Sequence, residues 1–168
     1  MKPRIYIAGK IEKNCWRHSL IDNLRDHSWN AGDLEQEDWI NSGPFFTSCD
    51  HGCFHQPTLH GALPTEHGCA SSMTRSELLA RIEKAIESSD AIFAYINSMD
   101  CYGTHHEIGY AHMAKKPIYI VYGSKVNKEE LWIQAESAES VMEIHSFDEL
   151  KEKFDFVKSK VRENGMRR

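Results

Sequence analysis

Between residues 89 and 122 the chain reads strand, loop, helix, strand, and no other stretch limits its fold so tightly. Residues 91–96 (Ala-Ile-Phe-Ala-Tyr-Ile) form one uncharged run, and residues 117–122 (Pro-Ile-Tyr-Ile-Val-Tyr) form another. Short, unbroken runs of branched and aromatic side chains are the mark of strands buried on both faces. The polar stretch 97–103 between them reads as a loop, and 104–115 reads as a helix. Two buried strands joined through a helix belong to a parallel sheet, which helices must cover on both faces.

The rest of the chain repeats the alternation. Residues 4–8 are a short buried strand that stops at Gly9. Residues 15–29 are helical by the three- and four-residue spacing of Trp16, Leu20, Ile21 and Leu24. Residues 30–42 are polar without a clear period, and Gly43-Pro44-Phe45-Phe46 is an apolar patch that reads as the end of a strand. Leu78, Leu79, Ile82, Ala85 and Ile86 form the stripe of a helix over 73–89. Residues 128–138 are helical and 141–144 make a final strand. Ser146 and Glu149 form a capping box that opens a last helix, which runs to Asn164 and ends at Gly165. The expected architecture is one α/β domain over residues 1–168. Its core is a doubly wound parallel sheet of about five strands, flavodoxin-like or Rossmann-like. Such sheets bind ligands outside the carboxyl ends of their strands, where the strand order reverses.

A length of 168 residues is enough for one self-sufficient core. The net charge of −5 argues against a basic surface that grips nucleic acid. No apolar run approaches the roughly 20 residues that span a bilayer. The opening MKPRIYIAGK lacks the apolar core of a signal peptide. With five cysteines, an odd number, a cytoplasmic protein with reduced thiols is expected, not a disulfide framework.

Glu107 is the residue of most chemical interest. Gly103 and Thr104 bring the chain off a strand into a helix, and Glu107 falls in the expected first turn. On pattern alone, Thr104 is an N-cap and Glu107 its partner three residues on. The same geometry places a carboxylate at the ligand crevice, where the positive end of the helix dipole favours its ionised form. An ionised carboxylate can attack an electrophilic sugar carbon. One side chain can serve both ends.

Tyr-Ile-Ala-Gly at positions 6–9, Ser-Asp-Ala-Ile-Phe-Ala at 89–94, Gly-Thr-x-x-Glu-Ile-Gly-Tyr-Ala at 103–111 and Lys-Pro-Ile at 116–118 occur in that order. This series resembles the nucleoside 2-deoxyribosyltransferase family, which includes related nucleotide N-glycosidases. The resemblance covers residues 4–11 and 75–122, and hardly touches 30–72. It implies a doubly wound sheet and a nucleophilic Glu107 that displaces the base to form a glycosyl-enzyme, resolved by water or a second base. It makes Asp100 the loop carboxylate that helps handle base or sugar, and it places Gly9 and Lys10 in the lining of the site. It implies a nucleoside or nucleotide substrate, no cofactor, and a homo-oligomer, a dimer being the default. Two departures stand out. Ile82, with Glu83 beside it, occupies the place where many members carry an aspartate. The first turn reads Ala-Gly-Lys-Ile in place of the commoner Gly-Pro.

Other candidates keep two readings each. Ser71, Ser72 and Arg75, at the start of the 73–89 helix, can hold a phosphate or simply cap and solvate the helix. The stretch 47–72 has no period, which in a compact domain marks a functional insertion or disorder. Its Cys49, Cys53, His55, His60, His67 and Cys69 are ligand types that suit zinc, though their spacing matches no common finger. The alternative is a lid whose histidines and Asp50 hydrogen-bond to substrate. Phe45, Phe46 and Phe54 can stack on a base, and the first two equally suit the core. His105 and His106 flank Glu107 as proton carriers or as solvated helix residues. Asp90 reads as structural, at the amino end of its strand. Trp132 and the helix around it read as packing or a subunit contact. Two further functions fit the same chain: a nucleotide-binding module without turnover, and a metal-dependent hydrolase built on the Cys/His stretch.

Overall fold

A computed structural model describes residues 2–10, 16–22, 33–44 and 75–166. Six strands form one sheet: β1 (Arg4–Gly9), β2 (Leu34–Glu35), β3 (Ile40–Asn41), β4 (Ala91–Ile96), β5 (Ile118–Tyr122) and β6 (Ser140–Glu143). Their order is β2-β3-β1-β4-β5-β6. All neighbours pair parallel except β2 with β3, so an antiparallel edge is added to a five-strand parallel sheet. The expected doubly wound α/β fold is therefore present, in the flavodoxin-like order. The polar stretch 30–42 contains β2 and β3. Two-residue strands are too short to show a period, and only pairing creates them.

The alternation of side chains along each strand divides the core into two layers. Ile5, Ile7, Phe93, Tyr95, Tyr119 and Val121 face one way, toward Trp16, Ile21 and helix α4 (Asp148–Gly165). Tyr6, Ala8, Ile92, Ala94, Ile96, Ile118 and Ile120 face the other. There they meet α1 (Arg75–Ser88), α2 (Tyr102–Met113) and the 3-10 turn Lys128–Leu131 that leads into the short α3 (Trp132–Glu136). Among the described residues, no helix is long and apolar enough to cross a membrane.

Several element ends differ from their sequence expectations. Helix α2 begins at Tyr102 with Cys101 as its N-cap, two residues earlier than expected. Thr104 is consequently inside the helix and buried, and the capping box with Glu107 does not form. Of the helix expected over 15–29, only Trp16–Ser19 appears as a 3-10 turn, and residues 15 and 23–29 lie outside the described set. Gly165 is the last helical residue of α4 and not its stop signal. At the other end of α4, Glu149 accepts the Ser146 amide at 3.2 Å, but the helix begins at Asp148 with Phe147 as its N-cap and without a side-chain cap, so only the glutamate half of the expected capping box forms. Asp90 is structural: its Oδ2 accepts the Arg4 amide at 2.8 Å and ties the amino ends of β4 and β1 together.

The layer under α4 is aromatic. Phe154 stands edge-on to Trp39 at 4.7 Å between ring centroids and to Phe93 at 5.0 Å. Asp38, next to Trp39, receives Lys158 Nζ at 3.1 Å and Arg162 Nη2 at 2.5 Å. The edge of the sheet is thus fastened to α4 by rings inside and charges outside. Phe154 is 2% exposed. Phe154→Ala should cost about 3–5 kcal/mol, the range for emptying a buried aromatic site. Urea unfolding will show this as a lower midpoint with an unchanged slope.

Candidate functional site

Strand β1 pairs with β3 on one side and β4 on the other, so the chain's winding direction reverses between β1 and β4. At that switch point the connections leave toward opposite faces and open a crevice at the carboxyl ends. Gly9 and Lys10 leave β1 there, and the loop through Ser98 and Asp100 leaves β4 there.

Two features shape the exit of β1. A Cβ on Gly9 would stand 2.7 Å from Trp16 Cζ2 and 2.8 Å from the Tyr95 carbonyl oxygen, so only glycine lets the strand pass this close to its neighbour. Arg17 is 2% exposed and stacks over the Trp16 ring at 4.5 Å. Its Nη2 donates to Gly9 O at 2.7 Å and to Ile7 O at 3.1 Å, and its Nη1 donates to Lys10 O at 3.4 Å. One buried guanidinium thereby gathers the last carbonyls of β1 into a fixed turn.

Across the crevice, Lys10 Nζ donates to both Asp100 oxygens at 2.8 Å and to Ser98 Oγ at 3.4 Å. The Lys10 hydrogen bond holds the exposed Asp100 carboxyl below its ordinary range. The structure therefore brings together Gly9, Lys10 and Asp100, three of the residues singled out from sequence.

Glu107 occupies a different environment from the one its position in the chain implies. It is the sixth residue of α2, past the first turn, and is 8% exposed on the inner face. Its Oε1 accepts the Tyr6 hydroxyl at 2.5 Å. Tyr6 comes from the middle of β1 and is fully buried, with Gly43 packed flat against its ring where no side chain would fit. Burial drives the Glu107 carboxyl up to about 7, against the pull of the Tyr6 hydrogen bond and the Arg17 charge. This corrects the expectation of a dipole-ionised glutamate: desolvation outweighs the helix dipole, and near neutral pH the group is poised between its two forms. Burial likewise raises the Tyr6 phenol, reinforced by the charge of Glu107, so the phenol remains the donor.

The neighbours of Glu107 have their own partners. His105 lies 3.6 Å from the Cys101 thiol through Nε2 and 3.2 Å from Gln134 through Nδ1. His106 faces Glu83 of α1 at 3.6 Å. Thr104 is hydrogen-bonded to Cys101, whose thiol is raised by burial. Gly103 lies exposed in the first turn of α2. Phe45, Phe46, Asp50, Ser71 and Ser72 lie outside the described residues, as do Cys49, Cys53, His55, His60, His67 and Cys69. Arg75 opens α1, with its side chain also outside that set.

Sequence reasoning missed Tyr6 and Arg17. A signal for Tyr6 was present: a tyrosine inside a strand buried on both faces needs a partner for its hydroxyl. Arg17 had none, because an arginine one step off an apolar stripe reads as solvated. Comparison with family models, curated proteins and solved structures finds no match to the chain in any of the three.

The raised Glu107 has a consequence for stability. The folded chain holds a proton up to about pH 7, whereas the unfolded chain releases it near 4.5. Between those values the native state binds more protons, so stability falls as pH rises and then levels. The full shift is worth at most about 3 kcal/mol. Glu107→Gln keeps the acceptor for Tyr6 and removes the titration. Urea midpoints should be similar for the two proteins near pH 4.5 and should favour the variant at pH 8.

Proposed function

We propose that the chain is a cytoplasmic enzyme that cleaves or transfers the N-glycosidic bond of a nucleoside or nucleotide, with Glu107 as the nucleophile. One observation carries this reading: a buried carboxyl held by Tyr6, on the helix that leaves the switch point of a doubly wound sheet. The ordered motifs that resemble the nucleoside 2-deoxyribosyltransferases support it.

In this mechanism the Glu107 carboxylate attacks the anomeric carbon, and a carbon–oxygen bond forms as the carbon–nitrogen bond to the base breaks. The base leaves with the bonding electron pair and takes up a proton. Water or a second base then attacks the same carbon and frees Glu107. Tyr6 fixes the carboxyl's rotamer and stabilises its ionised form through the hydrogen bond. Lys10 and Asp100 stand at the rim, where a sugar or base enters. The water-poor setting that raises Glu107 also leaves its anion weakly solvated, and therefore reactive once formed.

Glu107→Gln should lower base release at least about a hundredfold while the fold survives. In the wild type, base release should rise with pH through an inflection near 7, as Glu107 ionises. Chromatography of free base from a panel of nucleosides and nucleotides measures both. Near wild-type release by Glu107→Gln would remove the glutamate from the mechanism. No release from any substrate would leave a nucleotide-binding module in its place.

A further inference from the structure

A cavity of about 330 Å³ opens at the amino edge of the sheet, opposite the crevice. Its walls are the residues that lead into β1, β4 and β5 and the last turn of α4. The length of β4, six residues at about 3.3 Å each, separates it from the loop that carries Asp100. Both anchors of the undescribed stretch 45–74 lie away from this edge. Gly43 is bonded to Ile7 in the second half of β1, and α1 starts at the carboxyl edge because it ends where β4 begins.

Tyr119 is the telling member of the wall. The residue is 4% exposed, yet its hydroxyl has no hydrogen-bond partner among the described residues and is not sealed off from open space. A phenol this buried ordinarily has a partner within the protein. Burial raises its ionisation, and the charges of Glu139 and Glu163 raise it further. The hydroxyl therefore keeps its proton and offers a lone pair in a negative field.

Other groups give that field the same sign. Asp90 accepts the Arg4 amide through Oδ2 and has no cationic partner among the described residues. The last carbonyls of α4, an 18-residue helix, end at the cavity with the negative pole of the helix. The two cations in the wall are engaged elsewhere. Lys2 Nζ donates to Glu35 at 2.7 Å and to Gln36 O at 2.8 Å, and Arg162 Nη2 donates to Asp38 at 2.5 Å. Pro3, Pro117 and Met166 supply apolar surface between these groups.

We propose that this cavity binds a small aromatic amine, with its ammonium at Asp90 and the Tyr119 hydroxyl and its ring against Pro3, Pro117 and Met166. An ammonium has three donors for these acceptors and is favoured at the carboxyl end of a helix. A carboxylate or phosphate in the same place would meet Asp90 and the α4 carbonyls with the wrong charge. A thioether packs well on the edge of a ring. The volume lies at the small end of the range for small-molecule sites, which suits a single ring. The site shares no residue with the crevice and does not rest on the reaction proposed for Glu107.

Calorimetric titration with phenethylamine should give one site per chain. Phenylacetate, with the same ring and the opposite charge, should bind at least tenfold more weakly. Asp90→Asn keeps an oxygen for the Arg4 amide and removes the charge, so it should retain the wild-type circular dichroism and weaken phenethylamine at least tenfold. Tyr119→Phe keeps the ring and should weaken it about threefold or more. Glu107→Gln should leave the affinity unchanged. An affinity unaltered by either Asp90→Asn or Tyr119→Phe would overturn the proposal. So would equal binding of phenylacetate, or no binding of phenethylamine, the result expected if the chain's own Arg167 or Arg168 filled the cavity.

Discussion

The parallel pairing of β1 with β4, from Ile5 against Ala91 to Gly9 against Tyr95, is the constraint on which the rest of this molecule depends. Parallel neighbours end on the same edge, so both strands deliver their loops to one place. Because the chain winds away from β1 in both directions, that place is left uncovered by the crossovers. Lys10 and Asp100 meet there for that reason, 90 residues apart in the chain. Tyr6 and Glu107, 101 residues apart, meet in the layer beneath.

The edge is made rigid by polar groups used economically. Arg17 is buried and donates to the backbone carbonyls of Ile7, Gly9 and Lys10 at the end of β1. A guanidinium has five donors in a planar fork, enough to serve several acceptors that a strand end leaves open. Trp16 covers it from one side and also presses on Gly9, so one ring sets both the arginine and the turn.

Glu107 shows how competing effects are ranked by size. A helix dipole contributes about 0.3–1 kcal/mol and fades beyond the first turn. Complete burial of a carboxyl can move its ionisation by several units. With Glu107 in the second turn and almost wholly enclosed, burial wins, and Tyr6 and Arg17 return only part of the loss. The outcome is a carboxyl near half-ionised at neutral pH. Such a group can change state during a reaction at little cost.

Much of the layout was legible in order and periodicity. The uncharged runs at 91–96 and 117–122 are strands because nothing else buries them, and β1, α1 and α4 follow from equally plain patterns. The strand–loop–helix run also marked Glu107 as a group to watch, whereas Gly9, Lys10 and Asp100 were marked only by the resemblance to the nucleoside 2-deoxyribosyltransferases. Other features existed only after folding. Strands β2 and β3, two residues each, are defined by their pairing and not by their composition. The start of α2 lies at Tyr102, which puts Thr104 inside the helix, where it cannot serve as the N-cap. The state of Glu107 was beyond local reading altogether. Sequence spacing reports which residues share a helix, whereas desolvation depends on everything that surrounds a carboxyl in space. Here those surroundings include Tyr6 from one strand and the Arg17 charge from the turn beyond it.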